Sequence, residues 1–372
     1  MCGWAQNFSA IRWTTSVNDN AIEALLYSLE KRLLASAARF EIDKIKEVER
    51  MLSFRRWWDR AKTPVLGVDV SMSGVRVMEL TSSGRHVQIA HYGYCSLPTG
   101  AIRDGGIVMR DEICDALRDA LRASGSRLRA AALALPASAV IKKILSLPAQ
   151  SSEDELELQV EAEAMALLPV ARDEIAVDFA VMGPSSHQPD AVDVMLVAAR
   201  QEKINERAEL AAAIGLKPQI IDLESQALLT AMGVMLGSDG LPPDQLVGVL
   251  HIDAEHAHAY FIQDESLAFE RQLSSTLTRR ESNSIESICQ EFIRAFQLSQ
   301  TTLGSSTLHH VYLLGNVSAE LQNTLAQRMA VSTSALNPWQ TLSVSTGVGS
   351  GRYEHPSACT LACGLALRSF DP

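Results

Sequence analysis

The sequence is poor in the features that usually announce a chemistry. Aromatic residues make up 5% of the 372 positions and no basic stripe interleaves with them, so the stacking platforms and phosphate-tracking grooves of nucleic-acid binders are missing. A formal net charge of −11 excludes the same class, because it offers phosphate backbones no long-range attraction. The six cysteines, at 2, 95, 114, 289, 359 and 363, form no CxxC pair, which leaves neither a disulfide framework nor a zinc knuckle. Cys359 and Cys363, one helical turn apart in an apolar stretch, read as core thiols. No window approaches the roughly 18 consecutive apolar residues of a membrane helix, and the N-terminus lacks the apolar core of a secretory signal. We therefore expect a soluble, cytoplasmic protein with no nucleic-acid partner and no direct membrane insertion.

What is present is a 47% hydrophobic chain long enough for two or three domains. Residues 1–50 carry a helical pattern with Ile22, Leu25, Leu26, Leu33 and Leu34 on one side and no chemical motif. Met51-Leu-Ser-Phe-Arg-Arg-Trp-Trp58 then reads as a fresh start. Either translation begins at Met51, or 1–50 is a helical appendage. From Pro64 strands follow at once: Pro64–Val70, Val75–Leu80 and Val87–Leu97 form a meander, followed by a helix over Met109–Ser124 and a buried strand Ala131–Leu135.

The pattern then shifts to a small α+β unit over 137–216. It comprises strand Val140–Leu147, helix Glu153–Leu168 with Ser152 and Glu155 forming a capping box, strands Ile175–Val181 and Val192–Ala199, and helix Gln201–Ile214 closed by Gly215 and Pro218. Strand Gln219–Leu223 and helix Glu224–Leu236 return to the first domain (51–136 and 217–245), and Gly237–Asp244 is the best linker. The second half, 246–355, restarts the opening theme: Leu246–Ile252 ends in Asp253 as the first strand ends in Asp69, and two more strands follow. A helix over Ser284–Thr301, strand His310–Leu314, helix Ser318–Met329 and a final helix Ser357–Ser369, within a C-terminal segment 356–372 packing on the first domain, complete the chain. We expect an α/β protein of two pseudo-duplicated domains around a cleft, with an inserted α+β subdomain.

Gly67-Val-Asp69-Val-Ser71-Met-Ser73-Gly74 has the shape by which actin-like ATPases offer backbone N–H groups to a phosphate, the acid holding a metal or its waters. Any strand followed by a turn resembles it, and Asp69 and Asp253 also suit simple turn or cap roles. His251, Asp253, Glu255, His256 and His258 suggest a metal cluster. On a strand, however, 251, 253 and 255 face one way and 256 and 258 the other, so five ligands cannot converge. Trp57 and Trp58 beside Arg55 and Arg56 read as a packed or partner-facing stretch, since so few residues bind a membrane surface only weakly.

Several motifs in order make the reading specific. Gly67-Val-Asp69, Ala134-Leu-Pro136, Val140–Pro148, Glu161-Ala-Glu-Ala164 with Leu168-Pro169, Val194–Arg200, Gly215-Leu-Lys-Pro218 and Ile221–Ala227 together resemble the PilM family of type IV pilus assembly proteins, from about Met51 onward. The resemblance implies the FtsA/PilM variant of the actin-like ATPase fold. It also implies capture of a short N-terminal peptide of a PilN-like inner-membrane protein, in a groove between the first domain and the inserted unit along Val140–Leu147 and Glu153–Leu168. The implied protein is a scaffold peripheral to the inner membrane, serving a type IV pilus or a related competence or secretion machine. Other inner-membrane or motor components, and self-association, are the further partners implied.

For the cleft the resemblance implies ATP with Mg, bordered by Gly67, Asp69, Ser71, Ser73, Gly74, Asp253, Ala254, Glu291, Arg294, Gly315 and Asn316, with Asp69 and Asp253 on the metal. Three departures weigh against it. Relatives carry Gly where Ser71 stands, Asp-Ile-Gly or similar where this chain has His251-Ile-Asp253-Ala254-Glu255, so that Ala254 removes the glycine, and Gly-Gly after a strand where it has Leu314-Gly315-Asn316. Glu255 in particular sets a carboxylate where a phosphate would sit, a repulsion of several kcal/mol when poorly screened. Glu291 and Arg294 read equally well as an ordinary i,i+3 pair. The rival readings are an active actin-fold ATPase and an FtsA-like polymerising protein. The first needs intact phosphate turns, and the second normally carries a basic amphipathic tail, which Ala366–Pro372 does not resemble.

Overall fold

A computed structural model describes residues 64–83, 86–103, 105–168, 170–185, 188–236, 245–253, 257–263, 266–273, 282–303, 306–346, 348 and 356–370. Residues 1–50, the Met51 stretch, the Gly237–Asp244 linker and Ala254-Glu255-His256 lie outside the described residues.

The first sheet is built from β1 (Leu66–Ser71), β2 (Gly74–Ser83), β3 (His86–Ser96), β6 (Ala130–Leu135) and β10 (Lys217–Leu223), in the order β10-β6-β1-β2-β3. The second is built from β11 (Leu246–Ile252), β12 (Ala257–Gln263), β13 (Ser266–Leu273), β14 (Leu308–Gly315) and β15 (Ser332–Ala335), in the order β13-β12-β11-β14-β15. The two are the same arrangement. In each, an antiparallel meander occupies one side and two parallel strands are added on the other side of the leading strand. Parallel additions need crossover helices. In the first half these are α1 (Arg110–Ser124) and the inserted unit with α3 (Gln201–Ala212), and in the second α5 (Ser282–Leu303) and α6 (Ala319–Met329).

Between the two sheets lie α4 (Glu224–Leu236) and α8 (Thr360–Leu367). One apolar cluster runs from Met78, Leu80 and Ile89 of the first sheet through Leu228, Met232, Leu365 and Ala366 to Val247, Val249 and Tyr260 of the second. All eight residues of α8 are buried, and each fully buried leucine contributes about 1.5–3 kcal/mol of transfer free energy. Gly67 of β1 exists for this helix. A β-carbon there would overlap the Ala362 carbonyl and come within 2.6 Å of the Ala366 nitrogen. The outer faces carry α1 and α3 on the first sheet and α5 and α6 on the second.

The inserted unit is a three-stranded sheet of order β7-β9-β8, from β7 (Val140–Pro148), β8 (Ile175–Pro184) and β9 (Ala191–Arg200), covered on one face by α2 (Glu153–Leu167). The capping box forms: Ser152 Oγ accepts from the Glu155 amide at 3.3 Å, and the Glu155 carboxylate accepts from the Ser152 amide at 2.8 Å. Five short elements have no periodicity to reveal them, namely β4 (Ile102–Arg103) and β5 (Gly106–Ile107), which form a hairpin, β15, α7 (Pro338–Thr341) and β16 (Ser343–Val344). β16 pairs with β3, so a piece of the second half completes the edge of the first sheet.

Candidate functional site

The β1–β2 hairpin turns through Ser71-Met72-Ser73-Gly74, which sets Asp69 directly across from Arg76. Both are buried, at 3% and 5% exposure. Arg76 Nη1 donates to Asp69 Oδ2 at 3.1 Å and to Ser71 Oγ at 2.9 Å, while Nη2 donates to Ser73 Oγ at 2.9 Å. The guanidinium lies 5.2 Å from the Tyr94 ring centre, and the Tyr94 hydroxyl donates to the Ser73 carbonyl at 3.1 Å. The Met72 amide, at the tip of the turn, donates to Asp253 Oδ2 at 3.2 Å. That bond crosses from one half of the molecule to the other.

Asp253 follows β11, beside the end of β14. There the Asn316 amide donates to the Ile252 carbonyl at 2.8 Å, and Gly315 holds φ +84°, a left-handed conformation in which a β-carbon would overlap Ile252. Three further titratable groups face the same interior. Glu224 opens α4, Arg207 of α3 reaches in to donate to the Gly105 carbonyl at 3.1 Å, and His251 sits on β11. Burial pushes Asp69 up to about 6, with Asp253 adding to the rise and Arg76 opposing it. Burial likewise raises Glu224 to about 7, with Asp69 and Asp253 adding and Arg207 opposing. His251 is lowered to about 4 by burial, against the pull of Asp253.

Of the residues the sequence singles out, the fold thus brings Asp69, Ser71, Ser73 and Gly74 against Asp253, with Gly315 and Asn316 alongside. Gly67 faces α8, so its missing side chain serves helix packing. Glu291 and Arg294 bond to each other at 2.6 Å, Arg294 being 65% exposed on α5. Among the described residues no group of His, Cys, Asp and Glu is arranged to hold a metal. Sequence reasoning missed Arg76, Arg207 and Glu224. The signal for Arg76 was available: a two-residue turn at Met72-Ser73 puts 69 opposite 76, and a buried acid requires a donor.

With this geometry in hand, comparison with known proteins is decisive on descent. A family model for the type IV pilus assembly protein PilM matches residues 67–275 and 284–370. The chain belongs to the PilM family of type IV pilus assembly proteins. Among solved structures it is similar to a PilM-PilN type IV pilus biogenesis complex, at 23% identity and a TM-score of 0.69 over 84% of this chain and 100% of that one. It is more distantly similar to a Bacteroides thetaiotaomicron protein with an actin-like ATPase fold (10% identity, TM-score 0.45, 76% and 93% covered). A further match is the cytoplasmic domain of EpsL, an inner-membrane component of the Vibrio cholerae type II secretion system (12%, 0.43, 82% and 95%). The fold is the actin-like ATPase fold.

That fold implies a magnesium nucleotide between the halves, and the donor set can be tested against it. The Met72 amide is spent on Asp253, and the Ser71 and Ser73 hydroxyls accept from Arg76. Among the described residues, buried Asp69 Oδ1 and Asn316 Oδ1 have no hydrogen-bond partner and are acceptors that a phosphate cannot satisfy, whereas Arg207 Nη1, also without a partner, is a donor on a guanidinium whose Nη2 is given to the Gly105 carbonyl. A divalent ion on Asp69 would share its carboxylate with a guanidinium, and a polyphosphate would meet the Asp253 carboxylate. The residues as arranged do not fit the group.

A second feature concerns the inserted unit. β7 is an edge strand, and among the described residues nothing pairs with its outer side. Leu145 and Leu147 face α2, whereas Val140 and, on β9, Met195 pack toward the first domain. Ile144 lies opposite Met195 on that second face and is 55% exposed.

Proposed function

We propose that this PilM-family chain is a scaffold that captures the N-terminal peptide of a PilN-like inner-membrane protein, and through it sits at the inner membrane as part of a pilus or related machine. Family membership supports the assembly role, and the solved PilM-PilN complex matched above names a partner of this kind. The single observation that carries the site is Ile144: a large apolar side chain left exposed on an unpaired edge strand, on the sheet face turned toward the first domain. An extended peptide adding to such an edge gains main-chain hydrogen bonds and places alternate side chains against apolar neighbours. Such binding requires no catalytic group, and turnover of nucleotide has no part in the reading.

Calorimetric titration of the full chain with a synthetic peptide of the partner's cytoplasmic N-terminus tests it. We expect saturable binding that Ile144→Glu weakens about tenfold or more while the melting temperature holds, because the replaced side chain is exposed. Unchanged affinity in Ile144→Glu would move the groove elsewhere. No binding by the parent chain would end the scaffold reading.

A further inference from the structure

We infer that the cleft between the two halves is latched from within, Arg76 acting where a divalent cation would otherwise balance Asp69 and Asp253 acting where a phosphate would otherwise receive the turn amide. Closure of this family member is then independent of nucleotide. The inference does not rest on the peptide reading.

Three observations converge on it. The turn that would cradle an anion already holds one, since the Asp253 carboxylate accepts from the Met72 amide at 3.2 Å. One oxygen of the acid that would bind a cation already faces one: Arg76 donates to Asp69 Oδ2 and to the hydroxyls on both sides of Met72, which leaves Asp69 Oδ1 without a partner. The guanidinium is also fixed in place by the Tyr94 ring, and its fork geometry matches a carboxylate and two hydroxyls at once. The third observation is a second tie between the halves, remote in sequence from the first. Lys142 of β7 donates to Ser225 Oγ of α4 at 2.7 Å and to Glu270 Oε2 of β13 at 2.8 Å. At 16% and 28% side-chain exposure, Lys142 and Glu270 are screened much less than a surface pair. The inserted unit, the first domain and the second half therefore meet at one ammonium.

Each substitution removes a requirement for ligand. A side-chain carboxylate tethered to β11 faces the turn amide at a far higher effective concentration than a free anion does. To enter, an anionic ligand would have to displace Asp253, leave its carboxylate beside further negative charge, and strip Arg76 from the two serines.

The test uses the full chain. Titration with Mg-ATP should give no saturable heat up to about 1 mM. Hydrogen exchange at the Met72 amide should be slow in the parent and about tenfold faster in Asp253→Ala, the factor carried by one net hydrogen bond of ordinary strength. Asp253→Asn keeps an oxygen acceptor in the same place, so it should show a smaller rise and provides the readout if the alanine variant does not fold. Saturable Mg-ATP binding by the parent chain, or Met72 exchange that neither variant changes, overturns the latch.

Discussion

Arg76→Met removes a guanidinium that is 5% exposed while keeping most of the volume of its stem. Three acceptors lose their donor together, Asp69 Oδ2, Ser71 Oγ and Ser73 Oγ, all within 3.1 Å of it. Breaking a buried ion pair by deleting one partner costs about 3–5 kcal/mol, because the other charge stays buried and uncompensated. The pH dependence separates this mechanism from mere loss of packing. Asp69 titrates near 6 in the folded chain against a reference of 3.8, so across that interval the folded state binds more protons than the unfolded one. Stability therefore falls as pH rises through that window, by about 3 kcal/mol at about 1.4 kcal/mol per pKa unit, and levels off above it. Without Arg76, which pulls the value down, the folded-state pKa lies higher and the fall continues into the neutral range. The difference between parent and variant is thus smallest near pH 5, where both folded states carry a protonated Asp69, and largest near pH 8. Urea denaturation at the two pH values measures it, and in Asp69→Asn/Arg76→Met the extra cost at high pH should vanish. A cost equal at pH 5 and pH 8, or below about 1 kcal/mol at pH 8, would refute the reasoning.

Two further outcomes follow from the packing. Gly67→Ala forces a methyl into the backbone of α8 and should destabilise by about 3 kcal/mol; a midpoint in urea within error of the parent would show that the helix moves aside freely. Arg368→Met strands Asp222, which is fully buried and receives the Arg368 Nε at 2.6 Å. A loss of about 3–5 kcal/mol is expected, at least half of it restored in Asp222→Asn/Arg368→Met, and no restoration in the double variant would assign the loss to packing.

Much of the architecture was open to inspection in one dimension because its signals are local. The capping box at Ser152 and Glu155 involves three consecutive intervals of chain, and the face of α1 formed by Ile113, Ala116, Leu117 and Ala120 is set by helical pitch. The repeated strand–Asp–turn opening at Asp69 and Asp253 foretold two matching sheets, since a meander is a contiguous unit. Short elements were not legible. A two-residue strand such as β16 has no period, and its place on the first sheet follows from where the chain ends up after α7.

The family, the order of the long helices and strands, and the residues that the phosphate-type turns would present are all written along the chain, because motifs, caps and alternation are properties of neighbouring positions. What those turns do depends on the packing of distant segments. Arg76 is one more residue in an alternating strand until Asp69, Ser71 and Ser73 close around it. Asp253 is a strand-end acid until the second half brings it to the Met72 amide 181 residues away. Gly67 resembles part of a ligand motif until α8 lies across it. Charge and packing act through distance in space, and these distances are set by how two sheets and two central helices come together.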